Sequence, residues 1–391
     1  MPESVDPNKR ICADWLKGYL EYTEGQESPD IFHLWCGISV IASTLERNVW
    51  LDRGYYTLFP NMFIVLVSGS AAARRSTAIL TAARLQRNAI PDIPTFSQKV
   101  TPEAIISSLS DSFKKRGVSA GYIVADEMST FMGNGQKDGS LVQILTKLYD
   151  GSDFDYHTIM RGKEICHKPC CNMLAGSTPE WLKESFPVHS IGGGFTGRII
   201  FVHHKGSGRK VAFPKLSDKE RALIVNLTSD LKAVREMSGE YILTAGATAW
   251  FEHWYTKVHD VDDCEPSLRG YMARKHDTLL KVAMNVAASR RQPLVVEETD
   301  LVVAEGMMKE NEKFLPEAMR LIMSTQVGEE ARRVFNIILR KKETSYADLM
   351  RATSYFVNAK MLSDILDSLK DSEMIQERMD GPRRIYSVKG I

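Results

Sequence analysis

The stretch NMFIVLVSGSAAARRSTAILTAARLQ, Asn61–Gln86, decides how the rest of the chain is read. It opens with an unbroken apolar run, Met62–Val67, of the length and β-branched content of a strand buried on both faces. It closes with Ser76–Gln86, where Ala, Ile and Leu recur at helical spacing. Between them lies a loop of small residues that starts at Gly69. Strand, small-residue loop and helix, with Gly69 ahead and Ser76 at the end, is the layout of the phosphate-binding loop G-x-x-x-x-G-K-[ST]. Backbone N–H groups and a helix N-terminus cradle phosphate in such a loop, while the hydroxyl holds Mg²⁺. The candidate nucleotide-binding residues are therefore Gly69, Ser70, Ala73, Arg74, Arg75, Ser76 and Thr77, with Ser76 the metal-side hydroxyl. Two positions depart from the pattern: Arg74 stands where the second Gly belongs, and Arg75 where the Lys belongs. The bland alternative is the strand–turn–helix with a Gly that any α/β protein contains.

Bulk composition sets the frame for that loop. A chain of 391 residues has room for two or three domains and a sizeable core. Apolar content of 43% and charged content of 25% place it among ordinary globular proteins rather than disordered or fibrous ones. A net charge of +1 means that no global field recruits nucleic acid, so any such site is a local patch. The six Cys lack paired spacing, which argues against a disulfide scaffold. Neither a signal peptide nor a membrane-length apolar stretch is visible, so the expectation is a cytoplasmic protein with no membrane partner.

Helical patterns occupy Ile11–Tyr22 and Ile31–Leu45, the second preceded by Ser28-Pro29-Asp30. Val49–Tyr56 reads as a short strand. Thr101-Pro102-Glu103 starts a helix, with Thr as N-cap and Pro at the first position. Further core strands are expected at Gly121–Ala125, Cys171–Ala175 and Ile199–His203, with a hairpin over Tyr156–Cys166 turning at Arg161-Gly162-Lys163. The alternation of strand and helix ends near Pro214, and a mostly helical region follows to a polar break at Thr325–Glu329. The remainder reads as three helices and a hairpin turning at Asp380-Gly381, the order of a winged helix-turn-helix. The expected divisions are 1–48, an N-terminal helical segment; 49–214, the α/β core; 215–326, the helical region; and 327–391, the winged helix.

Three further constellations follow the loop. In GYIVADE, an apolar strand ends in Asp126-Glu127; one carboxylate suits a Mg²⁺ shell and the other can polarise an attacking water. In LAGSTPEW, Ser177 and Thr178 follow a strand, where a hydroxyl can orient a phosphate or a water. A Ser-Thr-Pro is otherwise a turn and helix cap. In GGGFTGRIIFVH, Arg198 opens a core strand after Gly192–Gly194; it suits a transition-state arginine acting across a subunit boundary, or else a plain ion pair at a strand edge.

The combination resembles the AAA+ ATPases, and more narrowly the phage and mobile-element replication ATPases related to minichromosome-maintenance helicases. SPDIFHLWCGISVIASTLERNVWLDRGYYTLFPNMFIVLVSG is similar to the segment that leads into the core of those proteins. The likeness covers about residues 10–325 and is most specific over 28–69 and 192–203. It implies a P-loop AAA+ ATPase core with a parallel sheet, and a helical lid over 215–326. It also implies a ring, six subunits in the family, with ATP and Mg²⁺ at subunit interfaces and a single DNA strand in a central channel. On this likeness Asp126 joins Ser76 on Mg²⁺, Glu127 activates water, and Ser177 and Thr178 act as sensors. Arg198 becomes the finger that reaches a neighbour's nucleotide, and Arg274 in SLRGYMARKHDTLLKVA, with Arg269 second, becomes the lid arginine. The hairpin residues Arg161 and Lys163 would grip DNA. The implied activity is an ATP-dependent DNA helicase or translocase in phage or mobile-element replication, with a primase or initiator as partner.

Arg75 is the main departure. A guanidinium is bulkier and planar, and it does not replace a compact ammonium between β- and γ-phosphates. Hydrolysis is accordingly expected to be impaired, either natively or because a parental lysine was replaced. A nucleotide-gated DNA-binding initiator, or a helicase loader, with weak or no hydrolysis is the rival reading. Cys166, His167, Cys170 and Cys171 invite a zinc reading, but adjacent strand positions face opposite ways and no second Cys pair lies nearby. In the winged helix the third helix carries Asp364 and Asp367, and the basic residues gather on the wing. Arg383 and Arg384 are the DNA-contact candidates there, with protein docking the alternative.

Overall fold

The computed structural model describes residues 10–70, 72–133, 140–158, 162–185, 194–258, 268–290, 293–316, 326–355, 357–371 and 374–388. The chain divides into two compact units, Met1–Ile322 and Met323–Ile391.

The first unit is built on a five-stranded, all-parallel sheet with helices on its faces. Its strands are β3 (Phe63–Val67), β4 (Thr95–Phe96), β5 (Ser119–Ala125), β8 (Pro169–Ser177) and β9 (Ile199–His203), in the order β4-β5-β8-β3-β9. Every residue of β3, β5, β8 and β9 is buried, as continuous apolar runs in a parallel sheet require. The α/β core expected from the strand–helix alternation is therefore present. Two strands are longer than expected: β5 starts at buried Ser119 and β8 runs on to buried Ser177.

Helices α1 (Trp15–Thr23) and α2 (Asp30–Leu45) precede the sheet. The second packs against β3, β8 and α3 (Arg75–Ala89), with Phe32, Trp35, Ile38 and Ile41 wholly buried. Val49–Tyr56 is not one strand. It is β1 (Val49–Asp52), a turn at Gly54 with φ of 78°, and β2 (Thr57–Leu58). Helix α4 (Pro102–Arg116) starts as its sequence dictates, with Thr101 Oγ1 accepting from the Ala104 N–H at 3.3 Å. Short α5 (Met128–Met132) follows β5, and α6 (Ser140–Asp150) leads into an antiparallel hairpin of β6 (Phe154–Thr158) and β7 (Gly162–Cys166). Helix α7 (Pro179–Ser185) follows β8.

The region after β9 holds α8 (Asp218–Arg235), capped by a Ser217–Glu220 capping box, then α9 (Ala245–His253), α10 (Arg269–Met272), α11 (Lys275–Ser289) and α12 (Glu298–Glu312). Small strands hidden in this helical region anchor it: β10 (Gly239–Glu240) extends β1 in parallel, and β11 (Ile242–Leu243) pairs with β12 (Val295–Val296). Two-residue strands leave no periodic signal, so the sequence pattern does not reveal them. Helix α11 is buried along nearly its whole length and docks on the residues that lead into β3. Asn285 Nδ2 donates to the Pro60 carbonyl at 3.0 Å, and Lys281 Nζ donates to Asn61 Oδ1 at 3.0 Å.

The second unit consists of α13 (Gln326–Lys341), β13 (Glu343–Ser345), α14 (Tyr346–Thr353), α15 (Ala359–Asp371), β14 (Ile375–Asp380) and β15 (Arg383–Val388). The three strands form an antiparallel sheet in the order β13-β15-β14, turning at Gly381 with φ of 57°. Val334, Ile338, Leu349, Leu362, Ile365 and Tyr386 make a separate core.

Candidate functional site

In open parallel sheets, ligands sit outside the carboxyl ends of the strands. Three adjacent strands, β5, β8 and β3, end there in the predicted residues. Val67 pairs with Ser177, and Ala125 pairs with Ala175. Gly69, Ser177 and Asp126 thus lie at the same edge, with β3 and β5 about 10 Å apart across the intervening strand.

The loop closes on itself through the Ala72 N–H to Gly69 carbonyl bond at 3.1 Å, and α3 begins at Arg75. Arg74 adopts the left-handed conformation, φ 49° and ψ 39°. That is the conformation a glycine takes freely and another residue takes at a cost of about 1–2 kcal/mol. Position 74, where the layout calls for Gly, is therefore a glycine-type position filled by arginine. Its strain is offset by contacts from the segment before α2. Arg74 Nε donates to Glu27 Oε2 at 2.7 Å, and Ser28 Oγ donates to the Arg74 carbonyl at 2.9 Å. The Val211 N–H and the Arg74 guanidinium, in that order, hold the Glu27 carboxyl below its ordinary range. Neither Glu27 nor Ser28 is visible as a site residue in the sequence, because their partner lies a whole helix and hairpin away. Ala73 is buried, Ser76 is half-buried, and Ser70 and Thr77 are exposed.

Arg75 points across the strand ends. Its side chain is 5% exposed, and Nη2 lies 3.3 Å from Glu127 Oε1. The other terminal nitrogen, Nη1, is buried with no hydrogen-bond partner among the described residues. Burial lowers the guanidinium pKa, opposed by Glu127 and then Glu180. Glu127 forms the N-terminal boundary of α5, and Asp126 sits half-buried beside it. Gly176 is the reason the two strands close so tightly here: a Cβ on it would fall 2.5 Å from the Asp126 carbonyl and 3.2 Å from Ile79 of α3.

Ser177 is 1% exposed at the end of β8. Its hydroxyl donates to the Thr178 carbonyl at 3.3 Å, and Thr178 Oγ1 accepts from the Trp181 N–H at 3.2 Å. Thr178 thus caps α7, the role its Ser-Thr-Pro sequence gives it in any turn.

Arg198 lies elsewhere. It ends a single 3-10 turn, Thr196–Arg198, at the amino end of β9, where Ile199 pairs with Phe63. A five-residue strand separates it from its own loop, roughly 15 Å. Its guanidinium holds Asp150, with Nε to Oδ1 and Nη2 to Oδ2 both at 2.7 Å, and also donates to the Gly194 carbonyl. Arg274, the N-terminal boundary of α11, opens onto the same end of the sheet. It lines a cleft of about 550 Å³ with Arg47, Tyr149, Asp150 and Lys281. Lys281 is 4% exposed and lies 4.0 Å from the Tyr149 ring centre; burial pulls its pKa down to about 8. Burial likewise pushes the Tyr149 phenol up. Arg269 opens α10 nearby.

Of the hairpin candidates, Lys163 lies on β7 opposite His157, and Arg161 lies outside the described residues, as do Gly192 and Gly193. In the second unit, Arg383 and Arg384 line a cleft of about 680 Å³ with Arg351, beside Ser345 and Asp348 at the start of α14. Of the two lysines of the third helix, Lys370 is engaged: its Nζ lies 2.8 Å from both Asp367 and Glu377. Cys166, Cys170 and Cys171 are buried free thiols, and burial is the first cause raising each thiol pKa. Among the described residues no group of three or more His, Cys, Asp or Glu could hold a metal ion, and no helix is long and apolar enough to cross a membrane.

A buried, half-partnered guanidinium, a glycine-type turn at 74 and a helix start make a donor set suited to a nucleotide's phosphates. Ser76 and Asp126 carry oxygen atoms of the type that Mg²⁺ prefers. No protein-family model matches the chain, and no curated protein matches it either.

Proposed function

We propose that this chain is a nucleotide-dependent replication ATPase of the AAA+ type, whose sites are completed between subunits of a ring around DNA. One observation carries the reading. The parallel sheet gathers Gly69–Thr77, Ser177 and Asp126-Glu127 at one end, and Arg198 with Arg274 at the other. Arg198 is too far from its own loop to touch the same nucleotide, which supports a role toward a neighbour's. The loop and the start of α3 would hold ATP phosphates through backbone N–H groups, and Ser76 and Asp126 would hold Mg²⁺, which neutralises phosphate charge. Residues 215–326 would form the lid, with α11 tying Arg274 to the lead-in of β3. The second unit is a winged helix, whose cation-lined cleft suits backbone phosphates better than base edges. The strand in the channel is single-stranded DNA, and priming falls to a partner.

A second reading keeps nucleotide and DNA binding but not unwinding, and the Arg75–Glu127 contact favours it. Calorimetric titration of the full chain with Mg-ATP tests the common ground. Saturable binding that is lost in Ser76→Ala is expected; no binding up to millimolar ATP overturns both readings. Strand displacement separates them. An Arg75→Lys chain that unwinds duplex with ATP is a helicase, and one that assembles on DNA without displacement is a gated binding module.

A further inference from the structure

Arg75 fills the lysine position of the loop but makes a contact that a lysine's single ammonium would have to choose against. Its Nη2 is committed to Glu127, on the far side of β8, at 3.3 Å. Its Nη1 is buried and unpartnered among the described residues, in a side chain only 5% exposed. A buried donor left unpaired costs roughly 1–3 kcal/mol, so the guanidinium is satisfied on one side only. The charged groups around it are few. Glu127 and Glu180 act on it, while Arg74 is turned away to Glu27.

We infer that Arg75 is a bridge: Nη1 donates to the terminal phosphate of a bound nucleoside triphosphate while Nη2 keeps hold of Glu127. The inference rests on the nucleotide-site reading above and adds a mode of regulation to it. A planar fork can serve two acceptors at once, where an ammonium acts as a point charge. Hydrolysis forms a bond from a water oxygen to the terminal phosphorus and breaks the bond to the bridging oxygen of ADP. The water's proton needs an acceptor, and Glu127 is the carboxylate placed for it. With Oε1 engaged by Arg75, only Oε2 is left to take the proton, and the carboxylate cannot turn freely toward the water while the phosphate is gripped. The site therefore holds triphosphate far longer than it cleaves it, and loss of the Arg75–Glu127 contact starts turnover.

A double-mutant cycle on the full chain tests this, with the native protein, Arg75→Lys, Glu127→Gln and the double variant. Mg-ATP affinity and single-turnover hydrolysis are measured for each. Glu127→Gln in the native chain should tighten Mg-ATP binding about fivefold, because a neutral amide no longer competes with phosphate for the guanidinium charge, and should not do so when residue 75 is Lys. Arg75→Lys should raise hydrolysis at least tenfold. The Glu127→Gln rate penalty should be at least tenfold larger in the Lys background than in the native one. Equal penalties in both backgrounds, with affinity unmoved by Glu127→Gln, overturn the bridge while leaving the nucleotide site standing. Failure of all four proteins to bind Mg-ATP removes the site itself.

Discussion

Gly197 lies against the backbone of Gly270 so closely that a Cβ on it would fall 2.6 Å from the Gly270 carbonyl oxygen. This contact seats α10 on the turn that carries Arg198, and so keeps Arg198 close to the segment that leads to Arg274. Neither partner can yield, because both are backbone. Gly197→Ala is expected to cost about 1–3 kcal/mol, read as a lower urea midpoint at an unchanged slope. An unaltered midpoint would mean the approach is looser than described.

For Arg198 to act in another subunit it would have to leave Asp150. The Arg198 side chain is 9% exposed and that of Asp150 43%, so Asp150→Asn should lower stability by about 1–3 kcal/mol, an amide oxygen still accepting in place of the carboxylate. It should strengthen ATP-dependent association, seen as a higher mass by light scattering at fixed protein concentration. Arg198→Ala in an Arg75→Lys chain should reduce turnover by about 10³-fold or more, with Mg-ATP affinity nearly unchanged. A large loss of affinity instead would place Arg198 in its own subunit's site.

Glu46 is 1% exposed and takes two arginines at once. Arg116 Nη2 lies 2.6 Å from Oε1, and Arg235 Nη1 lies 2.6 Å from Oε2. Removing the shared acid leaves two largely buried cations with only the exposed Asp92 beside them. Glu46→Ala is expected to cost about 3–5 kcal/mol in guanidinium unfolding, among the largest single losses in the first unit.

His33 sits at 0% exposure in α2, its ring edge-on to Tyr19. Burial, then Arg209, lowers its pKa to about 4. The unfolded chain takes up this proton near 6.5, the folded one only near 4, so acidification through that window favours unfolding. Stability should fall by about 3 kcal/mol between pH 7 and pH 4 from this group alone. His33→Leu should flatten that part of the pH profile; an identical profile would show that other groups set it.

If the second unit contacts DNA through its cation-lined cleft, Arg383→Ala should weaken binding by similar factors on unrelated sequences. The salt-dependence slope should fall by about one. Loss confined to one sequence would point to base readout instead.

The sheet was legible because β3, β5, β8 and β9 are buried on both faces, and burial on both faces writes itself as an apolar run. The loop was legible for a different reason, since Gly69, Ser76 and the helical spacing after it lie within one local stretch. What the sequence hides is every partner fixed by tertiary approach. The Arg75–Glu127 contact, the Asp150 clamp on Arg198 and the Glu27 and Ser28 contacts to Arg74 each join residues more than forty positions apart. Val49–Tyr56 misled for a local reason: Gly54 breaks an apparent strand with a left-handed turn that only the backbone shows.

The ties from Glu27 and Ser28 to Arg74 bear on how this protein can be cut and recombined. A fragment that begins at the first strand keeps every residue of the loop and loses what holds residue 74 in its costly conformation. The smallest portable piece therefore starts upstream of Glu27. A chimera joined anywhere between positions 28 and 75 would inherit a loop from one parent and its fastening from another.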